Sequence, residues 1–237
     1  MSEANYLLAQ IKQHADEQYR AGHTQSAPTA LKVYGVRVPV LRKIARDWYR
    51  GHKLITDQEL LALMEALWTG ESREERAIAL HLLEHFERRI SLLTQAHFDR
   101  WRRTLDNWEM TDGLGWVLGL WQQTEPDTRL DYLWELIADE DVWSRRLALV
   151  AAVRINRGKA GFTIPDLTLQ LVDRVKEERH PMITKVVSWA LRGMIKPHRE
   201  QVVAYLEKNR DALAAHVVRE VSNKLRTGLK SGTGKKS

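Results

Sequence analysis

Asp112 is the acidic member of a series that is otherwise basic. Arg42, Arg76, Asp112, Arg146, Lys185 and Arg219 fall 34, 36, 34, 39 and 34 residues apart. After most rungs an apolar side chain follows two places on and a small one three places on, as in Arg42-Lys-Ile-Ala, Arg76-Ala-Ile-Ala and Lys185-Val-Val-Ser. Trp108 stands four residues before Asp112 and Trp189 four after Lys185, so each indole shares a helical face with its rung. A carboxylate inside a row of cations weakens the pull of that row on a polyanion, so its presence asks for a separate reason. Beside a sugar ring, a carboxylate can stabilise oxocarbenium-like charge as a glycosidic bond breaks, or orient the attacking water. Indoles on either side offer flat, electron-rich faces, and neighbouring cations can fix phosphates. The alternative is structural: Asp112 can pair with Arg145 or Arg146 of the next repeat, and a Trp at helical spacing is commonly core. Trp48, Trp68, Trp116, Trp121 and Trp134 have apolar neighbours and read as core, while Trp101 and Trp143 stay open.

Such a series needs elements that repeat. A period near 35–40 residues without strand signals marks a helical repeat array, in which equivalent positions line one surface. The apolar spacing predicts helices over 3–20, 37–50, 57–68, 73–88, 95–103, 107–122, 127–138, 141–156, 165–177, 181–195, 198–208 and 212–225. Thr56-x-x-Glu59 and Ser72-x-x-Glu75 read as capping boxes, and Asp106 or Asn107 can cap the helix carrying Trp108 and Asp112. Pro39, Pro126, Pro165 and Pro181 suit a first helical turn, and Gly22–Ala27 reads as a loop. Twelve helices make about six antiparallel pairs, with each rung early in the second helix of its pair, where free N–H groups attract anions. At about 10 Å per helix the rungs span roughly 50 Å, or about fifteen base pairs of duplex. A curved basic surface of that size suits DNA.

The 237 residues fit one continuous array over 1–226, followed by a disordered basic tail over 227–237. Lys and Arg outnumber Asp and Glu by 37 to 31, an excess that matters to a polyanion only if concentrated on one face, which the ladder provides. With no cysteine, disulfides, thiolate metal sites and cysteine nucleophiles are excluded. No apolar run approaches the roughly 18 residues of a membrane span, and the amino terminus lacks a signal-peptide core, so the expected location is cytoplasmic. His81 and His85 are four apart around Glu84, but a third ligand is missing, so neither a metal nor a cofactor is expected. Gly113-x-Gly115-x-x-x-Gly119 has the wrong spacing for a dinucleotide loop and reads as close helix packing. The clustered carboxylates of a two-metal nuclease are absent.

Several runs in order carry a resemblance. They are Gly35 to Ala45, Leu67 to Arg76, Asn107 to Asp112, Val142 to Leu147 and Lys185 to Arg192. Over roughly residues 30–225 the chain resembles the AlkD-type DNA alkylation repair glycosylases. The resemblance implies an all-α, right-handed superhelical array of HEAT-like helix pairs with duplex DNA in a concave basic face. It implies metal-independent hydrolysis of the N-glycosidic bond of N3- and N7-alkylated purines. A repeat array of this size needs no partner to fold, so a nucleoid-associated monomer with no obligate protein partner is expected. Asp112 matches the family's catalytic Asp, Trp108 and Trp189 its sugar-contacting indoles, and Arg146, with Arg145 adjacent, its phosphate-contacting Arg. Arg42, Arg76, Lys185 and Arg219 are then further phosphate contacts. The reading from a different class is a non-catalytic HEAT-repeat scaffold that binds DNA or protein, in which Asp112 is an ordinary salt-bridge partner.

Overall fold

The computed structural model describes residues 2–157 and 162–233. Among these the chain is all-helical apart from a single isolated bridge between Lys32 and Ser72. It divides into two compact units, residues 1–117 and 118–237, within the span expected as one domain.

The first unit contains α1 (Glu3–Gln13), α2 (Glu17–Ser26), α3 (Val38–Gly51), α4 (Asp57–Trp68), α5 (Arg73–His85), a 3-10 helix (Glu87–Leu92), α6 (Gln95–Arg102) and the start of α7 (Trp108–Thr124). Both expected capping boxes form, Thr56 with Glu59 and Ser72 with Glu75. Helix α5 packs against α3 and α4, and α1 leans on all three. Leu41, Ile44 and Trp48 of α3 meet this core together with Leu60, Met64 and Leu67 of α4 and Ile78 and Leu82 of α5, all buried. Trp101 is also core, stacked on Trp68 at 5.0 Å between ring centroids.

Two sequence expectations change here. The helix expected over 3–20 is two helices, and the loop expected over Gly22–Ala27 is helical through Ser26. Asp16 causes the break: its carboxylate accepts the Tyr19 N–H at 2.9 Å and starts α2 afresh. Helix α2 buries no residue fully, so it has no apolar stripe for a periodicity reading to find. It is held by its polar and aromatic groups, including the Arg37 guanidinium 4.6 Å from the Tyr19 ring centroid.

Gly35 sits where the 27–36 segment crosses α2. Its φ is +80°, and a Cβ there would run into the Asp16 carbonyl and lie 2.9 Å from Arg20 N. Gly35→Ala is therefore expected to lower stability by about 2 kcal/mol, measured as a fall in the urea midpoint at constant m-value. An unchanged midpoint would show that the segment yields at no cost.

The second unit contains the rest of α7, α8 (Pro126–Arg129), α9 (Tyr132–Ile137), α10 (Val142–Asn156), α11 (Pro165–Val175), α12 (Pro181–Met194), α13 (Arg199–Lys208) and α14 (Ala215–Thr227). The helix expected over 127–138 is interrupted at Leu130–Asp131, giving α8 and α9. Helices α10, α12 and α14 pack in sequence as one layer, with α9, α11 and α13 against them as a second. Every residue from Leu147 to Val153 of α10 is buried, which the small Ala148, Ala151 and Ala152 make feasible. Gly119 permits that closeness, since a Cβ there would lie 2.8 Å from the Ala151 carbonyl oxygen. Small residues of the 113–119 run thus serve helix packing, as the sequence suggested. Of the span 227–237 expected as a tail, Thr227 ends α14, residues 228–233 are ordered turns, and 234–237 lie outside the described residues.

Among the described residues no helix is long and apolar enough to cross a membrane.

Candidate functional site

The first turn of α7 is tied down on three sides. The Asn107 side-chain carbonyl accepts the N–H groups of Glu109 and Met110, each at 3.0 Å, so Asn107 rather than Asp106 is the cap. Asp106 turns the other way and holds the Thr29 hydroxyl and the Ala30 N–H, the latter at 2.6 Å. The Trp108 indole N–H donates to the Ser26 carbonyl at 3.0 Å, at the end of α2. Glu109 takes a two-pronged contact from the buried Arg73, through Nε at 2.9 Å and through Nη2, and lies 3.1 Å from His23 Nε2. These bonds fix the register and tilt of the helix face that Trp108 and Asp112 share.

Asp112, half-buried, lines a pocket of about 470 Å³ with Arg42 from α3, His81 and Glu84 from α5, and Trp116 one turn further along α7. A carboxylate, a cation and an indole edge a space of nucleotide dimensions. Apolar side chains, among them Leu80 and Met110, form its floor. Trp116, read as core from sequence, is only half-buried; its i+4 spacing from Asp112 was the available signal. Arg73 and Glu109, also on this pocket, carried no repeat signal and were missed.

The rungs divide by exposure. Arg42, Lys185 and Arg219 are exposed, whereas Arg76 and Arg146 are 7% and 5% exposed. Arg76 donates to the Trp68 carbonyl at 3.0 Å and the Thr104 carbonyl at 2.9 Å, so its donors serve helix ends. Burial holds its guanidinium below the usual arginine range, against the pull of Asp106 and Glu75. Its expected phosphate contact is thereby replaced by a structural one. Arg146 on α10 donates to the Met182 carbonyl on α12 at 2.6 Å. Arg145 is committed too, to the carbonyls of Asp139 and Glu140 and to Glu178 at 2.9 Å.

In the second unit, Lys185, Trp189 and Arg219 come together. They line a pocket of about 640 Å³ with Arg179, Arg192 and Lys230, which the ladder did not include. Cations around one half-buried indole suit an anionic ligand with a flat or sugar-like part. The two His residues weighed as a metal pair are otherwise engaged. His81 Nδ1 lies 3.2 Å from Glu84, and His85 stacks on Tyr49 at 5.1 Å.

The model of a family described as DNA alkylation repair enzyme matches residues 7–225. A solved structure described as a predicted DNA alkylation repair enzyme from Enterococcus faecalis is similar in fold, with a TM-score of 0.73 at 18% identity. That match covers 90% of this chain and 98% of the other. No curated protein matches the chain.

Proposed function

The chain belongs to the DNA alkylation repair enzyme family, and from that premise we propose that it is a glycosylase acting on cationic N3- and N7-alkylated purines in duplex DNA. The observation that carries the proposal is Asp112: a half-buried carboxylate, on an anchored helix turn, lining a pocket beside a surface cation. Alkylation at N3 or N7 makes the base a cation and a good leaving group. The C1′–N bond breaks, its electron pair leaves with the base, and the base becomes neutral. Positive charge then develops on the sugar, where the Asp112 carboxylate stabilises it and orients a water for addition at C1′. The water's proton passes to solvent, leaving free alkylpurine and an abasic site. Trp108 is the sugar contact in this reading, and Trp189 is a further one within its own pocket. No cofactor takes part in this scheme.

Exposed rungs hold the DNA in this reading. Arg42, Lys185 and Arg219 contact phosphates, while Arg76, Arg145 and Arg146 lock helices together. In this reading the protein works as a monomer in the cytoplasm, at the nucleoid. Two variants test the interface. Arg42→Ala and Lys185→Ala should each make the slope of log affinity against log salt shallower by about 0.9. Wild-type slopes in both would remove the ladder as the DNA surface. The activity itself is tested by incubating methylated duplex with the protein and scoring alkali-labile sites at purines. Tight duplex binding with no such sites would favour the non-catalytic scaffold instead.

A further inference from the structure

Residues 228–233 lie beyond the stretch that the family model matches, yet they bring Lys230 to the Trp189 pocket. The reversal begins at Gly228, whose φ of +75° closes α14 and whose N–H returns to the Lys224 carbonyl at 3.0 Å. The Thr227 hydroxyl accepts the Leu229 N–H at 3.2 Å, and the Asn223 carboxamide donates to the Lys230 carbonyl at 3.3 Å. Gly232, with φ +79°, packs so tightly that a Cβ would lie 2.7 Å from the Asn223 side chain. The backbone on both sides of Lys230 is thus fixed to the last turn of α14.

The Lys230 side chain points at one carboxylate. Its ammonium lies 3.1 Å from Glu220 Oε1, while the Ser188 hydroxyl donates to Glu220 Oε2 at 2.5 Å and Arg192 Nε stands 3.8 Å away. Ser188 is the residue before Trp189, so Glu220 joins the strap to the segment of α12 that carries the indole. Burial pushes the Glu220 carboxyl up, but Ser188, Lys230 and Arg192 together hold it below the usual carboxylate range. The ammonium has three donors, its side chain is 57% exposed, and it borders the same pocket as Lys185 and Arg219.

We propose that the 228–233 strap is a nucleic-acid-binding element, which Glu220 positions so that Lys230 contacts a backbone phosphate at the Trp189 pocket. The proposal rests on the DNA reading given above. It adds a cation from outside the repeat ladder to the pocket's own set. A phosphate entering beside Trp189 meets Lys185 and Arg219 from two helices and Lys230 from the strap. Glu220 keeps the ammonium in place when no phosphate is there.

The test is binding of full-length protein to an undamaged duplex across a salt series, for wild type, Lys230→Ala, Lys230→Arg and Lys185→Ala. Affinity alone would be ambiguous, because Lys230→Ala also leaves Glu220 with less compensation; the salt slope counts phosphate contacts instead. The expected result is a slope shallower by about 0.9 in Lys230→Ala and restored in Lys230→Arg. A wild-type slope in Lys230→Ala, beside a shallower one in Lys185→Ala, would overturn the strap's role and leave the DNA reading standing. A wild-type protein that does not bind the duplex would overturn both.

Discussion

Asp112→Asn is expected to slow base release from methylated duplex by roughly 10²–10³-fold, the effect of removing one preorganised electrostatic group from a reacting centre. The amide keeps the shape of the carboxylate and its capacity to accept hydrogen bonds. What it loses is the negative charge that faces the developing sugar cation. The ground state carries less of that charge, so the loss should appear in single-turnover rate rather than in substrate affinity. Duplex affinity should hold or rise, because a negative group has been removed from a basic surface. Asp112 also interacts within the protein, so thermal unfolding of the variant belongs beside the kinetics. Wild-type single-turnover rates in a folded Asp112→Asn protein would remove the carboxylate from the mechanism.

The second large effect is on stability and lies below the site. Glu74 is fully buried and accepts three backbone N–H groups, those of Tyr34 at 3.1 Å, Gly35 at 2.9 Å and Val36 at 3.2 Å. Its Oε1 also lies 3.6 Å from Nη1 of Arg73, itself 1% exposed. Glu74→Ala would strand those three donors and leave the Arg73 charge to Glu109 alone. The expected cost is about 3–5 kcal/mol, read from urea or thermal unfolding, the range for breaking a buried ionic pair. Because Arg73 grips Glu109 at the start of α7, the surviving folded protein should also lose activity. A cost below about 1 kcal/mol would mean that water replaces the carboxylate, and that the 34–36 segment needs no buried anchor.

Helix positions were legible wherever an apolar stripe or a cap spelled them out. Thr56, Ser72 and the first-turn prolines marked helix starts that the structure bears out, because capping is a local interaction between residues close in sequence. Helix α2 was not legible, since its bonds to the rest run through Tyr19, His23 and a backbone carbonyl rather than through an apolar face. The ladder placed Lys185, Trp189 and Arg219 at related helical positions, and the structure puts all three on one pocket. The ladder could not tell an exposed rung from a buried one. Arg76 turns inward to the carbonyls of Trp68 and Thr104, at the ends of neighbouring segments, and no repeat pattern records that. Arg145 and Arg146 show the same limit, since Glu178 and the Met182 carbonyl that engage them belong to later segments. Lys230 was hidden for a different reason. A Gly-rich basic stretch reads as a free end, although Gly228 directly after a helix is also the usual signal for a chain reversal.

The most direct test of the central claim is chromatography of what leaves methylated duplex DNA when wild-type protein and Asp112→Asn are incubated with it in the presence of a chelator. The account predicts free 3-methyladenine or 7-methylguanine from wild type, with an abasic site left for each base released, and a much smaller amount from the variant. Methylated purines that stay in the duplex, or return to unmodified bases without abasic sites, would contradict it.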